Sequence, residues 1–354
     1  MRILCIIEAL GSGGAERQLT GLAALLKEDG NQVRVLTYYP KDFYKPVLDK
    51  AGVEYQYLAK AQSRIKRLPK LAKAIKDYHP DTVITYSPSA GEISCVLKRI
   101  GFRFKLIVSE RNTTQTNSRS ERLKFFCYRW ADWIVPNSQM QANFIIEHYP
   151  NLRPKVRVIT NFVDTVYFSP HSAVVDSSKV NMICVGRDNP QKNQLRFFEA
   201  IKVLVNRGIN LHVDWYGSFE TLYGQQCKDK IRELRLENVI ILKGETKNVR
   251  DEYRVHSVFC LPSLYEGFPN VLCEAMSCGL PALCSNVCDN ATIVDEHKGG
   301  LLFNPTDIND MVEKIEQFLN LDSMTKEEMG WYNREKAVTM FSSSAFLSKY
   351  KEII

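Results

Sequence analysis

Residues 257–286 constrain the fold more than any other stretch of the chain. An apolar run, 257–262, leads into Ser-Leu-Tyr-Glu-Gly-Phe-Pro; a short helical pattern over 270–278 follows, then Gly279, Pro281 and a second apolar run, 281–285. Runs of this length bounded by such turn chemistry read as buried strands. A strand–helix–strand passage puts both strands parallel in one sheet. Glu266 then stands at the carboxyl end of a strand, where open parallel sheets place their ligands. Glu274 falls near the helix start, whose free N–H groups and positive dipole end suit a diphosphate. The spacing aims two acids and one anion hole at a single crevice.

The same alternation runs through the whole chain. Strands are expected at 2–8, 32–38, 53–58, 82–86, 104–109, 133–136 and 156–159, with helices near 15–29, 64–78, 90–100, 119–131 and 138–149. After a connector at 161–179, strands at 180–186, 211–216, 239–242, 257–262 and 281–285 alternate with helices at 193–206, 221–236, 248–255, 270–278 and 307–320. Alternation of this kind argues α/β architecture, with parallel sheets covered by helices on both faces. A chain of 354 residues exceeds one typical domain and suits two. Domains over 1–165 and 166–340 are expected.

Composition narrows the function classes. Ten cysteines without a Cys-x-x-Cys pair read as small buried hydrophobes in a reducing cytosol rather than as a zinc or disulfide framework. The run at 2–8 is too short for a signal h-region and ends in Glu8, and no stretch has the length of a membrane span. Net charge is +7, unevenly placed: residues 1–175 hold 26 Lys and Arg against 15 Asp and Glu, whereas residues 176–354 hold 21 against 25. A basic first half points to an anionic partner. No nucleic-acid reader module is present, so a membrane surface or a phosphate-bearing lipid acceptor fits better. Residues 60–76 carry seven basic groups and no acid, with Ile65, Leu68, Leu71, Ala72 and Ile75 at helical spacing. Arg119, Arg122, Lys124, Phe125, Phe126, Tyr128, Arg129 and Trp130 form a second basic, aromatic patch. Both favour docking on anionic lipid.

Other strand ends carry candidate groups. Val185-Gly186-Arg187 precedes Asp188-Asn-Pro-Gln-Lys192-Asn193, where a glycine admits a ligand to the backbone and two cations can neutralise a diphosphate. Tyr216-Gly217-Ser218 and Lys243-Gly244-Glu245 end two further strands, with Asn248 and Val249 opening the next helix. Ser109-Glu110-Arg111-Asn112 ends a strand in the first half. The loop after the first strand, Gly11-Ser-Gly13-Gly14-Ala-Glu16, has Glu16 where a dinucleotide fingerprint needs Gly or Ala, and the second strand ends without an acid for a ribose; both count against NAD.

The frame of strand, Glu266-Gly-Phe-Pro-Asn, seven residues between Glu266 and Glu274, then Gly-Leu-Pro and a strand resembles the Glu-x7-Glu motif of retaining nucleotide-sugar glycosyltransferases of family 4 (glycosyl transferases group 1). Gly186-Arg187…Lys192-Asn193 is similar to that family's Gly-Arg…Lys-Asn motif. The resemblance implies the GT-B fold: two Rossmann-like, doubly wound parallel-sheet domains facing across a cleft, with a last helix, about 341–354, crossing back onto the first. It implies a diphosphate held by Arg187 and Lys192, ribose hydroxyls on Glu274, and Glu266 facing the transferred sugar. Backbone groups of Gly267, Phe268 and Pro269 would touch sugar or phosphate, with Asn270 and Val271 beside them; Gly244 and Val249 would cup the base, and Gly13 and Gly14 would close over the donor phosphates. Acceptor contacts fall to Glu16, Glu110, Arg111 and Asn112, since the histidine that many relatives carry in that region is missing.

The function implied is retaining transfer of a hexose or N-acetylhexosamine from a UDP-sugar to an acceptor hydroxyl, with a lipid-linked glycan of bacterial surface polysaccharide assembly as acceptor. The enzyme is expected to be cytoplasmic and peripheral on the membrane. No Asp-x-Asp pair occurs, so no metal and no cofactor beyond the donor are expected. A nucleotide-sugar epimerase or hydrolase of the same fold, a non-catalytic partner subunit and a nucleic-acid binder are the alternatives.

Overall fold

The computed structural model describes residues 1–59, 61, 63–111, 116–171 and 180–354. It divides into two units, one of residues 1–162 and 343–354, the other of residues 163–342. The chain therefore passes between them twice, at 162/163 and 342/343.

The first unit contains β1 (Arg2–Ile6), α1 (Gly14–Glu28), β2 (Gln32–Thr37), α2 (Lys45–Lys50), β3 (Glu54–Tyr57), α3 (Arg64–Tyr78), β4 (Thr82–Thr85), α4 (Pro88–Arg99), β5 (Lys105–Glu110), α5 (Arg119–Tyr128), β6 (Trp133–Pro136) and α6 (Gln139–His148). The second contains β7 (Val180–Val185), α7 (Gln194–Asn206), β8 (Leu211–Tyr216), α8 (Leu222–Glu233), β9 (Ile240–Gly244), α9 (Val249–Val255), β10 (Val258–Leu261), α10 (Asn270–Ser277), β11 (Ala282–Ser285), α11 (Asn290–Val294), β12 (Gly300–Phe303), α12 (Ile308–Leu319) and α13 (Ser323–Phe341). Helix α14 (Ser343–Lys351) returns to the first unit.

Each unit holds one six-stranded sheet, ordered β3-β2-β1-β4-β5-β6 and β12-β11-β10-β7-β8-β9, with every pairing parallel. Alternate residues of each strand feed opposite cores. Leu4 and Ile6 enter the core under α3 to α6, while Ile3 and Cys5 enter the core under α1 and α14. Burial on both faces is why these strands read as unbroken apolar runs. Strand order reverses between β1 and β4 in the first unit and between β7 and β10 in the second. Those two reversals leave a crevice at the carboxyl edge of each sheet.

Several elements differ from expectation. Residues 156–159 form no strand: Arg157 and Ile159 donate to the Ile134 and Pro136 carbonyls, but pairing stops at a single bridge, Ile134 to Val156. Strand β12 and helix α13 were not foreseen. The buried face of α13 contains Gly330 and Asn333 besides Met329, Ala337 and Phe341, so it shows no hydrophobic stripe. Asn333 instead donates to the Leu280 and Gly299 carbonyls at 2.8 and 2.6 Å, and a Cβ on Gly330 would collide with the Gly279 carbonyl. Phe346 and Tyr350 of α14, with Ile353 just beyond it, sit in the first unit's core.

Candidate functional site

The second unit's crevice is built where β7 and β10 end. The loop after β7 is sewn to the loop after β10 by main-chain and amide bonds: Leu264 N–H donates to the Gln191 carbonyl at 2.8 Å, and the Gln191 amide donates to the Tyr265 carbonyl at 2.7 Å. Asn193 takes a left-handed conformation, φ 60°, and its amide donates to the Pro262 and Pro305 carbonyls at 3.1 and 2.8 Å. Asparagine tolerates that conformation better than most residues. The result fixes Lys192 over Glu266, with Nζ to Oε1 at 2.7 Å. Side-chain exposure is 16% for Lys192 and 9% for Glu266, so the charges meet largely out of water.

Three glycines keep the floor of this crevice open. Trp215 donates its indole N–H to the Gly186 carbonyl at 2.9 Å, and Gly217 N–H donates to the Gly244 carbonyl at 2.9 Å. Gly217 has φ 153°, and a Cβ there would collide with the Gly186 carbonyl. Only glycine allows the ends of β7 and β8 to approach so closely. Arg187 lies exposed beside them. Helix α10 begins at Asn270 and presents Glu274 on its fifth residue; Glu274 is buried, with 3% exposure. Gly267 and Pro269 lie in the turn between Glu266 and α10. Phe268 is packed in the core against Phe341, and Val249 and Val271 pack against the same core.

Two residues were missed. Cys288 accepts a hydrogen bond from the Glu266 N–H at 3.3 Å and is the one cysteine that is not fully buried among the ten. Burial raises its thiol pKa, with the Glu266 N–H pulling the other way. Gln191 and Cys288 had a single available signal, their place just beyond the ends of β7 and β11.

In the first unit the outcome is mixed. Gly13 caps α1 and Gly14 opens it; the Glu16 carboxylate folds back over Gly13, where a Cβ would collide with it. Glu110, expected to contact the acceptor, turns inward in the structure. Its carboxylate is buried and accepts from Lys124 Nζ and Tyr128 Oη, both at 2.7 Å. Burial lowers the Lys124 ammonium pKa, but Glu110 and Glu121 more than offset this, leaving it raised. Arg111 is likewise engaged internally, donating to Tyr86 Oη at 2.8 Å, Tyr350 Oη at 2.7 Å and Asn161 Oδ1 at 3.0 Å. Asn112 lies outside the described residues.

The two basic patches are also redrawn. Lys60 and the side chains of Arg64 and Ile65 lie outside the described residues, and Arg67 is buried. Lys124, Phe125 and Tyr128 are core, leaving Arg119, Arg122, Leu123, Phe126 and Arg129 on the exposed face of α5. No helix among the described residues is long and apolar enough to cross a membrane.

Comparison with known proteins agrees with this geometry. The family described as Glycosyltransferase Family 4 matches residues 12–167, and Glycosyl transferases group 1 matches residues 170–336. An alpha-1,4-N-acetyl-D-galactosaminyltransferase of Campylobacter jejuni, named for a diphosphoundecaprenol-linked saccharide, is 28% identical over 346 residues, covering 92% of this chain and 91% of its own. The amylovoran biosynthesis glycosyltransferase AmsD of Erwinia amylovora is 27% identical, covering 80% of each chain. The crystal structure of Anabaena Alr3699/HepE in complex with UDP superposes with a TM-score of 0.88 at 18% identity, over 99% of both chains. With matches spanning both units and the sheet order just described, the chain belongs to the family 4, group 1 glycosyltransferases and has the GT-B fold.

Proposed function

We propose that the protein transfers a hexose or N-acetylhexosamine, with retention of anomeric configuration, from a UDP-sugar to a hydroxyl of a lipid-linked glycan in bacterial surface polysaccharide assembly. The observation that carries this reading is the Lys192–Glu266 contact of 2.7 Å at the β7/β10 reversal, beside Arg187 and the start of α10. The bond between the anomeric carbon and the β-phosphate oxygen breaks, and its electron pair leaves with UDP. The acceptor oxygen bonds to the anomeric carbon, and its proton is released. Charge grows on the diphosphate as the bond breaks, and Lys192, Arg187 and the α10 N–H groups meet it. Each unit charge about 4 Å away has a Coulomb term on the order of 4 kcal/mol at an effective dielectric near 20. Glu266 supports the positive anomeric centre, and Glu274 takes the ribose hydroxyls. Gly244 and Val249 flank the base.

The reaction needs no metal in this reading, in keeping with the lack of an Asp-x-Asp pair. The UDP complex of the Anabaena protein and the undecaprenol-linked acceptor of the Campylobacter relative support the choice of donor and acceptor. A screen of UDP-sugars, read as release of free UDP with and without an undecaprenyl-diphosphate-linked saccharide, is expected to give one preferred donor and at least tenfold more UDP with acceptor present. Release unchanged by any acceptor would favour a hydrolase or epimerase.

Membrane attachment forms part of the same proposal. Leu123 and Phe126 stand exposed on α5 among Arg119, Arg122 and Arg129, while Lys66, Lys70, Lys73 and Lys76 lie along α3. At about 1 kcal/mol per basic residue near an anionic surface, such faces bind reversibly. Vesicles containing phosphatidylglycerol should sediment the protein at low salt and release it near 0.5 M salt, about where screening shortens below 5 Å. Equal binding to purely zwitterionic vesicles would count against it.

A further inference from the structure

The first unit's sheet reverses its strand order between β1 and β4, and the residues at that reversal have no part in the donor chemistry above. Glu8 lies just beyond β1 with its side chain exposed. Its backbone is pinned: Tyr38 and Tyr39 N–H both donate to the Glu8 carbonyl at 2.9 Å. Its carboxylate accepts from Ser89 Oγ, on the first turn of α4, at 3.2 Å. Ser89 Oγ in turn accepts from Arg67 Nη1 at 2.6 Å, and the Arg67 guanidinium, 4% exposed, stacks 4.1 Å over the Tyr38 ring. Glu8 forms no ion pair among the described residues. A buried cation, one serine away, therefore sets the orientation of a carboxylate whose remaining lone pairs face solvent.

Tyr39, 36% exposed, follows directly on the same loop, with Phe43, 65% exposed, four residues on. A carboxylate held by Ser89, with an exposed aromatic ring on the residue whose N–H bonds its own carbonyl, is the chemistry that recognises a neutral sugar. The acid accepts from paired hydroxyls, and the ring covers the apolar face of a pyranose. A diphosphate would be repelled there. We propose that Glu8 and Tyr39 form a saccharide subsite for the acceptor glycan, with Arg67 and Ser89 as positioning residues for Glu8. The inference rests on the glycosyltransferase reading and specifies which part of the acceptor the first unit holds.

The test uses the full chain saturated with UDP and four probes: N,N′-diacetylchitobiose, N-acetyllactosamine, lactose and maltose. Saturation-transfer NMR is expected to detect at least one of them on the wild-type protein. Glu8→Gln and Tyr39→Ala should each weaken that binding about tenfold or more, the range for losing a hydrogen bond to a charged group or a stacking ring. Calorimetric UDP affinity and the thermal unfolding midpoint should stay at wild-type values in both variants. Undiminished sugar signals in the variants, or no signal from the wild type while UDP binds, would overturn the subsite. Failure of the wild type to bind UDP would instead strike the donor reading.

Discussion

Glu266→Gln is expected to lower the rate of sugar transfer by about a hundredfold to a thousandfold, the scale for losing one aligned electrostatic partner of a transition state. UDP affinity should stay within about threefold of wild type, and any change should be towards tighter binding. The sign follows from the ion pair. Lys192 Nζ sits 2.7 Å from Glu266 Oε1, so a diphosphate must compete with the carboxylate for the ammonium. Glutamine keeps the size of the side chain and can still accept from Lys192, but it removes the negative charge that holds the cation back. It also removes the charge that would face an oxocarbenium-like anomeric carbon. Single-turnover transfer and calorimetric titration with UDP, on the same preparation, separate the two effects. Wild-type turnover in the variant would remove Glu266 from the chemistry.

Glu274→Ala should act in the opposite way, weakening UDP by about tenfold to a hundredfold, the range for hydrogen bonds to a charged acceptor in a site shielded from water. Glu274 is buried on α10, in a helix whose other buried residues, Ser277 apart, are the apolar Leu272, Cys273, Ala275 and Met276. A carboxylate in such a setting forms strong bonds with a diol and suffers little competition from solvent. Competition with uracil diphosphate analogues lacking the ribose hydroxyls provides the control: wild type and variant should bind such an analogue with similar affinity. UDP binding unchanged in the alanine variant would assign the ribose to another group.

The contrast between the variants is also where the sequence was most legible. Glu266, Gly186 and Lys192 follow strands whose apolar runs are buried on both faces, with Glu274 on the helix after one of them, and those runs are the strongest local signal a parallel sheet leaves. The alternation of strands and helices argues the parallel sheets, whereas the strand order that brings β7 to β10 comes only with the doubly wound fold that the resemblance implies. Position along the chain was a poorer guide to side-chain direction. Glu110 ends β5 at the expected place, yet its carboxylate turns inward to Lys124 and Tyr128, and nothing local in Ser-Glu-Arg-Asn distinguishes inward from outward. Arg111 is captured by Tyr350, 239 residues further on, a partner that no local window contains. Glu8 went unremarked because a single acid after a strand is common; its meaning comes from Ser89 and Arg67, brought together by the sheet. Helix α13 was missed because Gly330 and Asn333 interrupt its buried face, and its docking is a matter of backbone fit around those two residues.

The twofold crossing of the chain has a consequence for biosynthesis. Phe346, Tyr350 and Ile353 complete one face of the first unit's sheet, and Tyr350 supplies a hydroxyl to Arg111 and Tyr86. Residues 163–342 form a continuous stretch that can fold as soon as it clears the ribosome. The unit synthesised first must wait with an unfilled core until the final residues emerge. Maturation thus runs against the order of translation, because the amino-terminal unit's core is filled only after the carboxyl-terminal unit has been made.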